Sequence, residues 1–292
     1  MLDRRALLAA TAALPLAGAG PVLARTTGRV ERFDAPTSAG VLPRAVEVWL
    51  PPGYDDARTR HPVLYMQDGQ NVFEPGRAFG GQEWRIDETL EALIAVDRVR
   101  APIVLGVWNS ANRALDYMPR KAVTADTFTL GLGADALRTE DITSDAYLAW
   151  LTGVLKPAID ARYRTLPGRD DTFIMGSSMG GLISAYALAE YPEVFGGAAC
   201  ISTHWPAGDG VVIDWLAAHL PPPGGHRLYF DHGTTTLDAL YPPLQARMDA
   251  HLRAAGWRQG VDWITRRFEG AEHTEAAWAA RADIPLAFLL GA

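Results

Sequence analysis

From residue 44 onward two hydrophobic periods alternate along the chain. Short β-branched or apolar runs bounded by Gly, Pro and Asp predict strands at 46–50, 63–67, 103–107, 172–175, 198–202, 228–231 and 263–268. Between them lie longer segments with apolar residues three or four apart, which predict helices at 84–95, 144–163, 179–191 and 241–255, with a closing pair at 274–281 and 284–290. In the second of these, Leu148, Leu151, Leu155 and Ile159 form one buried stripe. Pro157 presses on the carbonyl of Gly153, so the pattern predicts a kink there rather than a break. Strand-helix alternation is the α/β signature, and the continuously apolar strands predict a mostly parallel sheet covered by helices on both faces.

No repeat, low-complexity linker or composition shift marks a second domain, so residues 25–292 are expected to form one domain. The segment 108–143 is too long for an ordinary connection and reads as an insertion, of the kind that carries function. With 48% hydrophobic and 21% charged residues in 292, the chain can bury a large core. Its formal charge of −7 and lack of any Lys/Arg run give no footprint for nucleic acid, which points to a small or neutral partner.

The N-terminus changes the picture of location. Arg4 and Arg5 precede an apolar, Ala-rich stretch, 6–24, that ends in the small-residue pattern Val22-Leu23-Ala24. That layout is an export signal with cleavage expected after Ala24, and the paired arginines resemble a twin-arginine signal read by an export receptor. Pro15, Gly18, Gly20 and Pro21 count against a membrane span, so no stable span is expected in the mature chain. The mature protein is then periplasmic or secreted. Cys200 is the sole cysteine and sits in an apolar strand-like run, so no intramolecular disulfide forms and a packing role is expected.

The stretch "TFIMGSSMGGLISAYALAEYP" joins a strand to a helix with almost no loop. A nucleophile on so sharp a turn needs small residues two before and two after it. Ser178 has Gly176 and Gly180 there, whereas Ser177 has Met175 and Met179. The turn aims the Ser178 hydroxyl out at the helix N-terminus, where the Met179 N–H is free to meet a developing oxyanion. Gly181 permits close packing. In isolation the same glycines also fit a plain packing crossover.

If Ser178 is a nucleophile, this architecture calls for an acid and then a histidine beyond later strands. His273, in "FEGAEHTEAAWAAR", is the histidine that follows the final strand, unlike His204, His226 and His232. Two carboxylates follow the preceding strand: Asp231 at its end and Asp238 past the loop, where helix capping would explain it equally well. In "VLYMQDGQNVF" the Asp68-Gly69 turn presents the N–H of Gln70 as a second oxyanion donor.

"LYMQDGQNVF", "WNSANRALDYMP", "LKPAIDARYRT", "FIMGSSMGG" and "GAEHTEAAW" follow one another in the order and spacing of the esterase D-like α/β-hydrolases. The chain resembles that group, which also holds feruloyl and acetyl xylan esterases, siderophore esterases and S-formylglutathione hydrolases. The likeness covers about residues 45–290. It implies an α/β-hydrolase fold and hydrolysis of small-molecule or carbohydrate-linked carboxylic esters. Ser178 would be the nucleophile, His273 the general base, and Gln70 and Met179 the backbone oxyanion donors. It favours Asp238 over Asp231 as the acid, although relatives often carry the acid nearer the "D-x-G-T" turn, where this chain has Thr235 and Thr236. Some similar siderophore esterases resemble a Ser-His pair with a weak or absent acid. The likeness places Trp108, Asn109, Arg113, Tyr117 and Lys121 around the substrate, with His204 and Trp205 close by. For Arg113 a substrate carboxylate, a sugar hydroxyl and a surface salt bridge are all open.

"GLGADA", 131–136, matches a loose dinucleotide fingerprint but lacks the βαβ unit that would follow it. There is no HExxH, no cysteine pair and no phosphate-cradling loop, so no cofactor or metal is implied. Acyl transfer on the same fold and an inactivated, exported binding protein are the alternatives, and the intact Ser178, Gly176, Gly180 and His273 argue against the latter.

Overall fold

A computed structural model describes residues 27–56, 58–131 and 133–291, so the expected export signal at 1–24 lies outside the described residues. The strands are β1 (Arg29–Asp34), β2 (Ala45–Leu50), β3 (Val63–Gln67), β4 (Ile103–Val107), β5 (Thr127–Phe128), β6 (Leu137–Arg138), β7 (Thr172–Ser177), β8 (Gly197–Ile201), β9 (Arg227–His232) and β10 (Trp263–Arg267). Eight of them form one sheet in the order β1-β2-β4-β3-β7-β8-β9-β10, while β5 and β6 pair as a small ribbon. Within the eight-stranded sheet β1 and β2 pair antiparallel, as do β2 and β4, and every other pairing is parallel; the β5-β6 ribbon is antiparallel. The sheet is therefore mostly parallel, as the apolar strands predict.

Alternation along each strand divides the core in two. Val63 and Tyr65 of β3 join Ile103 and Leu105 of β4 in one apolar cluster, while Leu64, Met66 and Val104 enter another. The first lies under α3 (Ser144–Trp150), α5 (Met179–Glu190), α6 (Val211–His219) and α7 (Tyr241–Ala254), the second under α1 (Ile86–Ala95), α8 (Glu275–Ala279) and α9 (Asp283–Leu290). Both faces are thus shielded from water, the condition under which parallel strands lose their polar alternation. No helix among the described residues is long and apolar enough to cross a membrane.

The predicted helix over 144–163 is observed with a device in place of a simple kink. Between α3 and α4 (Lys156–Arg162) the chain makes a π-helical turn, Leu151–Leu155, immediately before Pro157. The wider turn carries the helix past a residue that has no N–H to give. The insertion folds as α2 (Arg113–Tyr117), the β5-β6 ribbon and short 3-10 turns.

Chain order and sheet order diverge at β3. From β3 the chain adds β4 on one side and, much later, β7 on the other. A crevice opens at such a reversal, outside the carboxyl ends of the strands. The chain leaving β3, β4, β7, β8, β9 and β10 delivers Asp68, Asn109, Ser178, Ser202, Asp238 and His273 respectively to that end.

Candidate active site

Ser178 alone separates β7 from α5, with φ 56 and ψ −122, a conformation strained for any residue with a side chain. The glycines around it are sterically required. A Cβ on Gly176 would lie 2.6 Å from the backbone C and O of Gly180, and one on Gly180 would lie 3.1 Å from Gln67 Cβ. One on Gly181 would press within 3.2 Å of Ile201 O and Thr203 Oγ1. Hydrogen bonds hold the turn on both sides: Ser178 N donates to Ile201 O (2.9 Å), and Ser178 O accepts from Leu182 N and His204 N (both 3.1 Å). Ser177 ends the strand, opposite Ile201, and is buried.

His273 lies in the loop between β10 and α8, with Nδ1 2.5 Å from Asp238 Oδ1. Asp238 sits in a 3-10 turn, Thr236–Leu240, and is fully buried. Its Oδ2 accepts from Gly233 N (2.5 Å) and Ser202 Oγ (2.6 Å). Burial alone would raise the Asp238 carboxyl, but the hydrogen bonds from His273, Ser202 and Gly233 more than offset it and hold it below the ordinary carboxylate range. An ionised carboxylate only accepts, so Nδ1 carries the imidazole proton and Nε2 keeps a lone pair for proton abstraction. His273 N donates to Thr236 Oγ1 (2.9 Å), and the rings of Trp278 and Tyr241 stand edge-on to the imidazole at 4.9 and 5.7 Å. Among the described residues Ser178 Oγ makes no hydrogen bond to His273 Nε2; its hydroxyl lies against the Tyr241 phenol. Such bonds often tighten only around substrate.

Asp231, the other carboxylate, is committed elsewhere: Arg281 grips it with two hydrogen bonds, Nε to Oδ2 at 3.1 Å and Nη2 to Oδ1 at 3.0 Å. Of the two sequence candidates, the structure brings Asp238 and not Asp231 to His273.

Gln70 is in the 3-10 turn Gly69–Asn71 after β3, and Met179 opens α5. Neither N–H has a hydrogen-bond partner among the described residues, as an oxyanion donor requires. The turn before Gln70 is fixed by Asp68, in the left-handed region, and by Gly69, whose Cβ would lie 2.1 Å from the Gly106 carbonyl carbon. Arg113 clamps the Asp68 carboxylate through Nε and Nη2, both at 2.7 Å, and Asn109 Nδ2 adds a third bond at 2.7 Å. Of the three roles open for Arg113, the partner found is a carboxylate of the protein itself.

These groups surround a pocket of about 310 Å3. Its lining is polar at Asp68, Gln70, Asn109, Arg113 and Glu275 and aromatic at Phe79 and Trp278, with Ser178 and His273 among them. Phe79 is 76% exposed at the rim, and burial, reinforced by Asp68, raises the Glu275 carboxyl above its ordinary range. Several expected pocket residues lie elsewhere. Trp108 packs under the Arg32 guanidinium at 4.1 Å, and Lys121 pairs with Glu190 on the surface. Tyr117 is fully buried beneath Arg113, where its hydroxyl accepts from Asp68 N at 3.2 Å. Trp205 is in the core against Phe230, its Nε1 donating to Gln245 at 2.9 Å. His204 stands one residue back from the pocket. Its Nε2 donates to Leu130 O (2.6 Å) and, burial favouring the neutral ring, Nδ1 accepts from the Tyr241 hydroxyl (2.9 Å). Tyr241, Ser202, Glu275, Trp278 and Phe79 are site residues that the sequence reading missed.

A family model described as "Putative esterase" matches residues 42–284. A Bacillus subtilis (strain 168) protein, "Uncharacterized protein YbbA", is 28% identical over 166 residues, 56% of this chain and 58% of that protein, so this chain spans well under two thirds of the relative's length. Among solved structures, a ferulic acid esterase from Anaeromyces mucronatus in complex with ferulic acid superposes with a TM-score of 0.66 at 17% identity, covering 91% of each chain. An IroE-like serine hydrolase from Shewanella oneidensis gives 0.66 at 16% identity, over 87% of this chain and 78% of its own. At these identities the likeness shows the α/β-hydrolase fold that the motifs led us to expect.

Proposed function

The chain belongs to the esterase family whose model it matches over residues 42–284, and on that premise we propose that it hydrolyses carboxylic esters through an acyl-enzyme on Ser178. The observation that carries this reading is the pairing of buried, ionised Asp238 with His273 Nδ1 at 2.5 Å, in the pocket onto which Ser178 opens. His273 Nε2 takes the Ser178 proton as Oγ attacks the ester carbon, and the oxyanion is met by the Met179 and Gln70 amides. His273 then passes the proton to the departing alcohol. Water repeats the sequence against the acyl-enzyme: His273 removes its proton as its oxygen bonds the acyl carbon, the Ser178–acyl bond breaks with Oγ taking that proton back from His273, and the acid leaves. Asp238 keeps its charge throughout and stabilises the imidazolium.

The substrates that fit the family and the pocket are small-molecule or carbohydrate-linked esters. The aromatic lining of Phe79 and Trp278 is suited to an acyl group and the polar lining to hydroxyls. We also propose that the protein acts after export through a twin-arginine route, a reading carried by the N-terminal sequence alone; fractionation of cells expressing the full chain, with Arg4 and Arg5 replaced by Lys as control, tests it.

The decisive assay is p-nitrophenyl acetate hydrolysis by the mature chain beside Ser178→Ala. The expected result is loss of essentially all catalysed turnover in the variant, with acetyl label found on Ser178 in the wild type. Equal rates in the two proteins would remove Ser178 as the nucleophile.

A further inference from the structure

Behind Asp238 lies a buried polar chain that the hydrolytic steps do not use. Ser202 follows β8 with φ 41 and is fully buried. Its Oγ is 2.6 Å from Asp238 Oδ2, 2.9 Å from Arg281 Nη2 and 3.0 Å from Trp278 Nε1. Guanidinium and indole nitrogens only donate. Both lone pairs of the hydroxyl are therefore occupied, and its single proton has one destination, the Asp238 carboxylate. The next links are equally fixed. Arg281, 3% exposed, forks onto Asp231, whose Oδ2 also accepts from the Tyr229 hydroxyl (3.0 Å) and whose Oδ1 accepts from Ser202 N (3.2 Å). Imidazole, carboxylate, hydroxyl, guanidinium and carboxylate thus form one series, in which each hydrogen bond polarises the next.

We propose that Ser202, polarised by Arg281, is a positioning residue for the Asp238–His273 pair. The inference rests on the reading of His273 as the general base. Anchoring Oδ2 fixes the plane of the carboxylate, so that Oδ1 faces Nδ1. The same bond draws part of the Asp238 charge toward Ser202. Without it the carboxylate turns more freely, which lowers turnover, and more charge stands on Oδ1 to stabilise the imidazolium, which moves the acidic limb of the rate profile to higher pH. A residue that merely filled space would do the first and not the second.

The test compares wild type, Ser202→Ala, Asp238→Asn and the double variant, measuring kcat and KM for p-nitrophenyl acetate against pH. In Ser202→Ala we expect kcat to fall about tenfold, the loss of one hydrogen bond to a charged group, with KM changed about twofold or less. The acidic limb rises by about half a pH unit, and the Ser202→Ala effect vanishes in the Asp238→Asn background because the two act as one unit. An unmoved pH profile with effects that multiply, or an unchanged kcat, overturns the proposal. If Ser202→Ala fails to fold, Ser202→Gly, which accepts φ 41 without strain, takes its place. Should the wild type hydrolyse no ester, the functional reading fails on its own, and the downfield Nδ1–H resonance of His273 decides this one. Displacement of that resonance in the Ser202 variant supports the coupling, and an identical resonance in both proteins refutes it.

Discussion

Asp238→Asn probes the site at the point where hydrogen-bond direction has chemical consequences. Asp238 Oδ2 receives two donors, Gly233 N–H at 2.5 Å and the Ser202 hydroxyl at 2.6 Å, while Oδ1 receives one, from His273. An asparagine placed here has two orientations. Turning its NH2 toward Gly233 and Ser202 would set donor against donor at two buried positions, at about 1–3 kcal/mol each. The amide oxygen therefore takes the Oδ2 place and the NH2 faces His273. Nδ1 must then accept, which moves the ring proton to Nε2, the nitrogen that should take the Ser178 proton. The fold survives, but the base is blocked. The expected fall in kcat is about 10,000-fold, or about 5 kcal/mol at 1.36 kcal/mol per decade, measured by p-nitrophenyl acetate turnover normalised to folded protein. Asp231→Asn is the control. It leaves the buried Arg281 half-paired, so it lowers stability by about 3–5 kcal/mol while kcat of the folded fraction stays within about tenfold. Retention of more than about a tenth of wild-type kcat by Asp238→Asn would refute the tautomer argument and leave a Ser178–His273 pair as the working unit.

Gly176→Ala sets a methyl 2.6 Å from the Gly180 backbone, and we expect a thermal midpoint lower by about 5 °C or more, with activity lost, whereas Ser177→Ala keeps most of its turnover. Arg113→Ala leaves the nearly buried Asp68 carboxylate without its clamp beside Gln70; kcat/KM should fall at least about tenfold, and Arg113→Lys, which lacks the planar fork, should not restore it. Glu275→Gln removes the pocket carboxylate that no arginine clamps, so the ratio of kcat/KM for an ester bearing a carboxylate to that for a neutral ester should rise several-fold; an unchanged ratio would show that Glu275 does not sense substrate charge. Asp87, in the first turn of α1, is pushed up to about 7 by burial, with Glu88 adding to the effect. Its folded value lies above its unfolded one, so the folded state binds the extra proton and stability declines as pH rises from about 4 to about 7. Asp87→Asn should accordingly raise the unfolding free energy measured by denaturant titration at pH 8, by on the order of 1 kcal/mol after allowance for solvent screening, and change it little near pH 4.

What the sequence disclosed followed from how local each constraint is. The elbow was legible because its requirement falls within five residues: Gly176 and Gly180 flank Ser178 so tightly that a methyl on either meets other main-chain or Gln67 atoms. The inner strands of the parallel sheet were legible because both their faces are buried. β1 was not, because it is a charged edge strand, Arg29–Asp34, paired on one side only and largely exposed. α6 starts on Val211-Val212-Ile213, residues that mimic a strand, and only its packing against α5 and α7 makes it helical. The acid stayed open between Asp231 and Asp238 because the choice depends on Arg281, 50 residues downstream of Asp231, which takes that carboxylate. Tyr117 lies one helical turn after the pocket residue Arg113, and Trp205 follows a strand end, yet both turn inward. Conversely Ser202 and Tyr241 carry no motif and join the site through strand ends and a helix start.

Seven residues other than glycine have positive φ among the described residues, and four of them, Asp68, Ser178, Ser202 and Thr236, build or hold this site. Each stores on the order of 1–3 kcal/mol of backbone strain that a glycine would release. Heat tolerance and chemistry consequently pull in opposite directions at these positions. Ser178→Gly should melt higher than the wild type while turning over nothing, and a library enriched for thermal survival alone will drift toward glycine at the elbow. Engineering this scaffold for endurance calls for activity to be selected at every round, with stabilising changes confined to regions such as α1, where Asp87 weakens the fold at alkaline pH and takes no part in the proposed chemistry.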